Sequence, residues 1–166
     1  MWDRLLDTAI GGILALAGTG VAQWFGFHAS KVERRHQYAA SQRERLERIS
    51  DSVAECVEWS QQVMTATSVS AIRDMHIPKQ CRQMVMLAKI YFPDLVQPAT
   101  EYANSLVHYH VFALKSFSPN APPGTTIGAQ MALNPEARQY ENSQLLLRNK
   151  FDEAIATEAQ KYEPSA

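Results

Sequence analysis

Between Asp7 and Lys31 the chain carries no Asp, Glu, Lys or Arg, and no other feature constrains its fold as much. A hydrocarbon core about 30 Å thick takes roughly 20 residues of α-helix at about 1.5 Å rise each. Residues 8–30 are long enough. Trp2 precedes the gap and Trp24, Phe25 and Phe27 close it. In a helix the two tryptophans stand about 33 Å apart, which sets aromatic rings at both headgroup layers. A cleaved export signal needs a basic start and a shorter apolar centre, whereas Met-Trp-Asp-Arg-Leu-Leu-Asp carries more acid than base. The competing reading is a glycine-rich buried helix, because Thr8, Thr19 and Gln23 make the stretch only moderately apolar. The expectation is a transmembrane helix over 8–30, with residues 1–7 as a short extracytoplasmic N-terminus.

The far flank of the gap is basic: Lys31, Arg34, Arg35, Arg43, Arg45 and Arg48 stand against Glu33, Glu44 and Glu47. Basic residues beside a span stay on the cytoplasmic side. The sequence therefore predicts a single-pass protein of the bacterial inner membrane, N-terminus out, with residues 31–166 as a cytoplasmic helical bundle. Cys56 and Cys81 show neither a CxxC spacing nor a disulfide-dense pattern, which suits thiols buried as small apolar groups in a reducing compartment, with a single disulfide between them as the lesser alternative. A net charge of -1 and a pI near 6.5 supply no broad basic field for nucleic acid.

Inside the gap, Thr8, Gly11, Ala15, Gly18 and Ala22 step by 3, 4, 3 and 4, a narrow seam of small side chains on one helical face. In lipid, helices associate through close packing of such surfaces. The seam is expected to be a helix–helix interface, with a second copy or with another membrane protein.

The rest of the chain reads as helix. Leu46, Ile49, Val53, Cys56, Val57 and Val63 recur at helical spacing, and neither Pro nor Gly falls between Phe27 and Ile77. A second helix starts at Pro78, with Cys81, Met84, Val85, Ala88, Tyr91 and Phe92 on one face, and stops at Pro93. A third starts near Pro98. It has Ala99, Tyr102, Ala103, Leu106, His110, Ala113 and Phe117 along one side and Val107, Val111 and Leu114 along another, so it should be the most buried. Residues 118–134 form an uncharged loop, longer than a bundle connection needs. Asn134, Pro135 and Glu136 then open a last helix that buries Leu147, Phe151, Ala154 and Ile155. No period-2 strand appears. The fold class is all-α: an N-terminal transmembrane helix continuing into a cytoplasmic four-helix bundle.

Three segments, "KVERRHQYAASQRERLERI", "MLAKIYFPDLVQPATEYANSL" and "LLLRNKFDEAIATEAQKY", together with the span, resemble a broad group of small bacterial single-span membrane proteins with cytoplasmic helical bundles. The resemblance is architectural and implies an inner-membrane location. Its most specific pieces, "IYFPDL" and "LRNKFDEAI", are not catalytic signatures, and it supplies no active-site residues.

A direct search for chemistry finds no phosphate-binding loop, dinucleotide fingerprint, HExxH motif or nucleophile elbow. His108 and His110 are two apart and point to different sides of a helix, with Glu101 two turns before the first. His76 and Cys81 make one poor ligand pair, and a tetrahedral site needs four ligands. Neither a cofactor nor a metal is expected, His110 reads as a satisfied core or interface histidine, and Met84 and Met86 read as ordinary apolar filling. The expected function is a non-enzymatic, membrane-anchored protein that binds a cytoplasmic partner or another copy. The alternative is a membrane-perturbing effector (a toxin, exclusion or phage-defence component) acting through oligomerised glycine-rich spans.

Overall fold

The computed structural model describes residues 2–118 and 120–163, with side chains at Trp24, Phe27 and from Ala29 onward. The described chain is all-α, and no strand occurs among these residues. Its elements are α1 (Trp2–Thr65), α2 (Val69–Asp74), α3 (Lys79–Tyr91), a 3-10 turn (Pro93–Leu95), α4 (Val96–Ser116), α5 (Ile127–Met131) and α6 (Pro135–Gln160). The chain divides into two units, Met1–Ser41 and Gln42–Ser165. Among the described residues no helix is long and apolar enough to cross a membrane. The side chains of the seam, Thr8, Gly11, Ala15, Gly18 and Ala22, and most of those of the candidate span 8–30, lie outside the described residues.

The second unit is built on one apolar core. In its part of α1, Leu46, Ile49, Val53, Cys56 and Val63 are buried as their spacing predicts, whereas Val57 is only half-buried and Trp59 takes an inward position instead. In α4 the buried set is Ala99, Tyr102, Leu106, Tyr109 and Ala113, stepping by 3, 4, 3 and 4, so one face of the helix stays inward along its length. α4 packs against α2, α3, α5 and α6, as expected of the most buried helix. Its second expected apolar side is divided: Val107 and Val111 are 41% and 43% exposed, while Leu114 is half-buried against the core. Tyr109 takes the inward position instead. Once one stripe is inward, residues half a turn from it must face solvent.

Start and stop signals act where the sequence places them. Pro78 caps α3, and Pro93 opens the 3-10 turn that separates α3 from α4, since proline lacks the N–H that would continue the helix. The Asn134 side chain accepts from the Glu136 N–H at 2.9 Å, with Pro135 in the first turn of α6. Two short helices lie outside the expected set. Ser68 accepts from the Ala71 N–H at 3.1 Å to cap α2. Thr126 caps α5 inside the expected loop. There the Ile127 N–H donates to the Ala66 carbonyl at 2.7 Å, burying Ile127 and Met131. Gly128 lies directly over the end of α1: a Cβ there would come within 3.0 Å of the Met64 carbonyl oxygen. The uncharged segment is thus a folded strap.

Rings join the helices. Tyr102 and Phe151 face each other at 6.2 Å between centroids, and Phe112 stacks on Tyr140 at 4.6 Å. Both pairs tie α4 to α6. Phe151 and Ile155 are buried, as expected, while Leu147 and Ala154 are half-buried.

Candidate functional site

The six basic residues behind the uncharged stretch separate by unit. In the first unit Lys31, Arg34 and Arg35 are exposed, and Arg34 Nε reaches the Ser30 carbonyl oxygen of its own helix at 3.2 Å. In the second unit Arg43 and Arg45 are half-buried and engaged with the bundle. Arg43 Nε donates to the Tyr162 carbonyl oxygen at 2.9 Å, and its Nη2 donates to the same oxygen. The Arg45 guanidinium lies 3.9 Å from the centroid of the Tyr91 ring, a cation–π contact. Arg48 pairs with Glu44 one turn back at 2.6 Å, an exposed ion pair of small energetic weight. Of the six residues read as membrane-flanking, Arg43 and Arg45 also fasten the bundle. Sequence spacing hid this because their partners are distant in the chain.

Around Arg43 the end of the bundle is stitched by "IYFPDL". Phe92 is fully buried, with the Tyr162 ring edge-on at 6.4 Å. Lys161 Nζ donates to Asp94 Oδ2 at 2.9 Å and to Glu158 Oε2 at 2.6 Å. Tyr162 Oη donates to Glu158 Oε1 at 3.2 Å, so the buried Glu158 carboxylate is satisfied on both oxygens. The motif that stands out in the sequence is structural.

Two grooves flank α4. The first lies between α4 and α6 and encloses about 450 Å³. Glu101, Ser105 and His108 line it from α4, and Tyr140, Ser143 and Gln144 from α6. It exists because α6 fully buries no side chain between Ala137 and Phe151. Glu101 and His108, seven apart, are brought together on one face. His110 points elsewhere: its Nε2 is 2.9 Å from the Ile72 carbonyl oxygen, and its ring meets Trp59 edge-on at 5.5 Å. The polar groove can hydrogen-bond a ligand. No group of three or more His, Cys, Asp or Glu able to hold a metal occurs among the described residues.

The second groove lies between α3 and α4 and encloses about 640 Å³. Ile77, Val85, Met86, Ala103 and Val107 give it apolar walls, and its only charged residues are Lys79 and Arg82. Its rims continue as apolar stripes. Met86 on the α3 wall and Val107 on the α4 wall are 59% and 41% exposed, and Ile90 and Val111, one turn beyond each, are 61% and 43% exposed. Large exposed apolar residues clustered in this way mark interaction surfaces. The sequence did not disclose the groove, because its walls come from two helices whose relative rotation is set by the core. Cys81, on the α3 wall, has its sulfur 2.7 Å from that of Cys56 on α1, and both are free thiols. No protein-family model matches the chain, and no curated protein or solved structure matches it either.

Proposed function

We propose that the protein is a non-enzymatic, membrane-anchored interaction protein of the bacterial inner membrane, as in the small single-span proteins that it resembles. Residues 8–30 cross the bilayer, the N-terminus lies outside, and the bundle in the cytoplasm receives a partner in the α3–α4 groove. The observation that carries the reading is this groove, walled by Ile77, Val85, Met86, Ala103 and Val107 and charged only at Lys79 and Arg82. Its form suits an amphipathic helix laid into a groove, with apolar anchors one turn apart. Its charge selects an occupant with an acidic residue beside those anchors, since opposite charges at the rim steer association and fix register. The anchor is supported by the uncharged stretch, its aromatic ends and the exposed Lys31, Arg34 and Arg35 behind it.

Two measurements test this. A reporter fused after Ala166 should be active only in its cytoplasmic form, and periplasmic activity would reject the orientation. A photocrosslinking residue at Met86 should yield one adduct whose linked peptide is an acidic amphipathic helix, lost on Arg82→Glu. Adducts that survive Arg82→Glu, or that appear equally from the exposed Leu133, would reject the groove. Linkage to a second copy of this chain would mean that the groove is a self-association surface.

The small-residue seam favours a second reading, an effector whose assembled spans perturb the bilayer. Growth arrest with loss of membrane potential on overexpression, abolished by deleting residues 1–27, would support it over a passive anchor. Replacing Gly11 and Gly18 together with Leu should keep insertion but block close helix approach. Crosslinking through a cysteine at Ala15 reports the difference.

A further inference from the structure

We infer that Cys56 and Cys81 form an oxidation site, in which a peroxide entering through the α3–α4 groove converts the two thiols into a disulfide that joins α1 to α3. The sulfurs are 2.7 Å apart. A disulfide bond is about 2.05 Å long, so closing it requires a movement of about 0.7 Å. The two cysteines are placed unequally. Both are buried, Cys56 at 0% and Cys81 at 4% exposure, but Cys81 is the one on the groove wall, so a small peroxide meets Cys81 first. The thiol–thiol hydrogen bond favours the same order: it pulls Cys81 below the ordinary thiol range, while that bond and burial push Cys56 up. Thiolate, rather than thiol, is the attacking species.

The chemistry closes without a further reactant. The Cys81 thiolate attacks one peroxide oxygen; the O–O bond breaks, and the departing hydroxide takes up the proton that Cys81 released, forming water. Cys81 is left as a sulfenic acid. The Cys56 sulfur then attacks the Cys81 sulfur, an S–S bond forms, the S–O bond breaks, and the hydroxyl leaves with the Cys56 proton as a second water. Two thiols and one peroxide give one disulfide and two waters, with two electrons passing from sulfur to oxygen. A reversible bond of this kind in a reducing compartment is a sensing device rather than a structural one.

The test uses the reduced full chain in detergent micelles, treated with hydrogen peroxide. The parent should lose about 2 Da and both alkylatable thiols together, recover them with dithiothreitol, and melt at a higher temperature while oxidised. Cys56→Ser should stop at a sulfenic acid, a gain of about 16 Da that dimedone traps. Cys81→Ser should leave Cys56 reduced, because the remaining thiol lies behind the wall. Val107→Trp, which fills the groove and leaves both cysteines in place, should slow oxidation about tenfold by restricting access. Retention of both thiols after peroxide, a disulfide between two chains, or an unchanged rate in Val107→Trp would overturn the inference. None of these readouts depends on a protein partner.

Discussion

Arg43 and Tyr162, 119 residues apart in sequence, are joined by a charge-assisted hydrogen bond: Arg43 Nε donates to the Tyr162 carbonyl oxygen at 2.9 Å. The guanidinium approaches that oxygen with a second N–H as well, so it ties the chain beyond α6 to the first turns of the second unit. Hydrogen bonds to a charged group contribute about 1.5–3 kcal/mol when partly buried. Arg43→Ala should lower unfolding stability by about that amount, and Arg43→Lys should recover only part of it, because an ammonium lacks the planar fork. Thermal unfolding followed by circular dichroism measures both. An unchanged midpoint in Arg43→Ala would show that the bond adds nothing to the stability of the bundle.

Every buried apolar residue from Leu46 onward lies in the second unit. A chain beginning at Ser41 should therefore fold without the uncharged stretch, remain in solution without detergent, and give a strongly helical circular dichroism spectrum with a cooperative melt. A mainly β spectrum, or a melt without cooperativity, would contradict a self-contained core.

Phe151 carries the contact between α6 and α4 in the middle of that core, fully buried against the Tyr102 ring. Phe151→Ala should cost about 3–5 kcal/mol, from lost burial plus the cavity left behind. Val111→Ala, on the exposed side of α4, should stay within about 0.5 kcal/mol. Urea unfolding of the two variants side by side measures the contrast.

Alkaline pH should unfold the bundle through its buried tyrosines. Burial raises the hydroxyls of Tyr102 and Tyr109 above their ordinary value of 10.0, with lesser help from nearby negative groups, Glu141 in the case of Tyr109. The neutral phenol is the form that the fold favours. The unfolded chain therefore releases these protons first, and the associated stability is fully present below pH 10 and falls as pH rises above it. Each tyrosine steepens the decline by up to about 1.4 kcal/mol per pH unit. Lys161, raised first by Glu158 and then by Asp94, acts in the same direction. Tyr102→Phe should flatten the decline measured by urea midpoints between neutral and strongly alkaline pH.

Legibility of the fold followed the range of the interactions that set it. The Asn134–Pro135–Glu136 start of α6 and most of the α1 and α4 stripes depend on neighbours one or two turns away and are legible in the sequence; Trp59 and Tyr109 are the inward residues that spacing did not single out. α2 and α5 were hidden, being too short for periodicity to register. α5 is held by its Thr126 cap and by the bond from the Ile127 N–H to the distant Ala66 carbonyl. The part that Arg43 and Arg45 play in the bundle shows only once Tyr162 and Tyr91 are brought beside them. The grooves were the least legible feature. Glu101 and His108 share a helical face by arithmetic, but Tyr140 and Ser143 join them only after α4 and α6 pack.

Asn104 lines both grooves, on the ridge of α4 that separates them. The apolar channel and the polar one are therefore adjoining rooms with one wall in common. A guest that turns the Asn104 amide toward itself withdraws a donor and an acceptor from the room next door. A substitution at this single position therefore alters the lining of both.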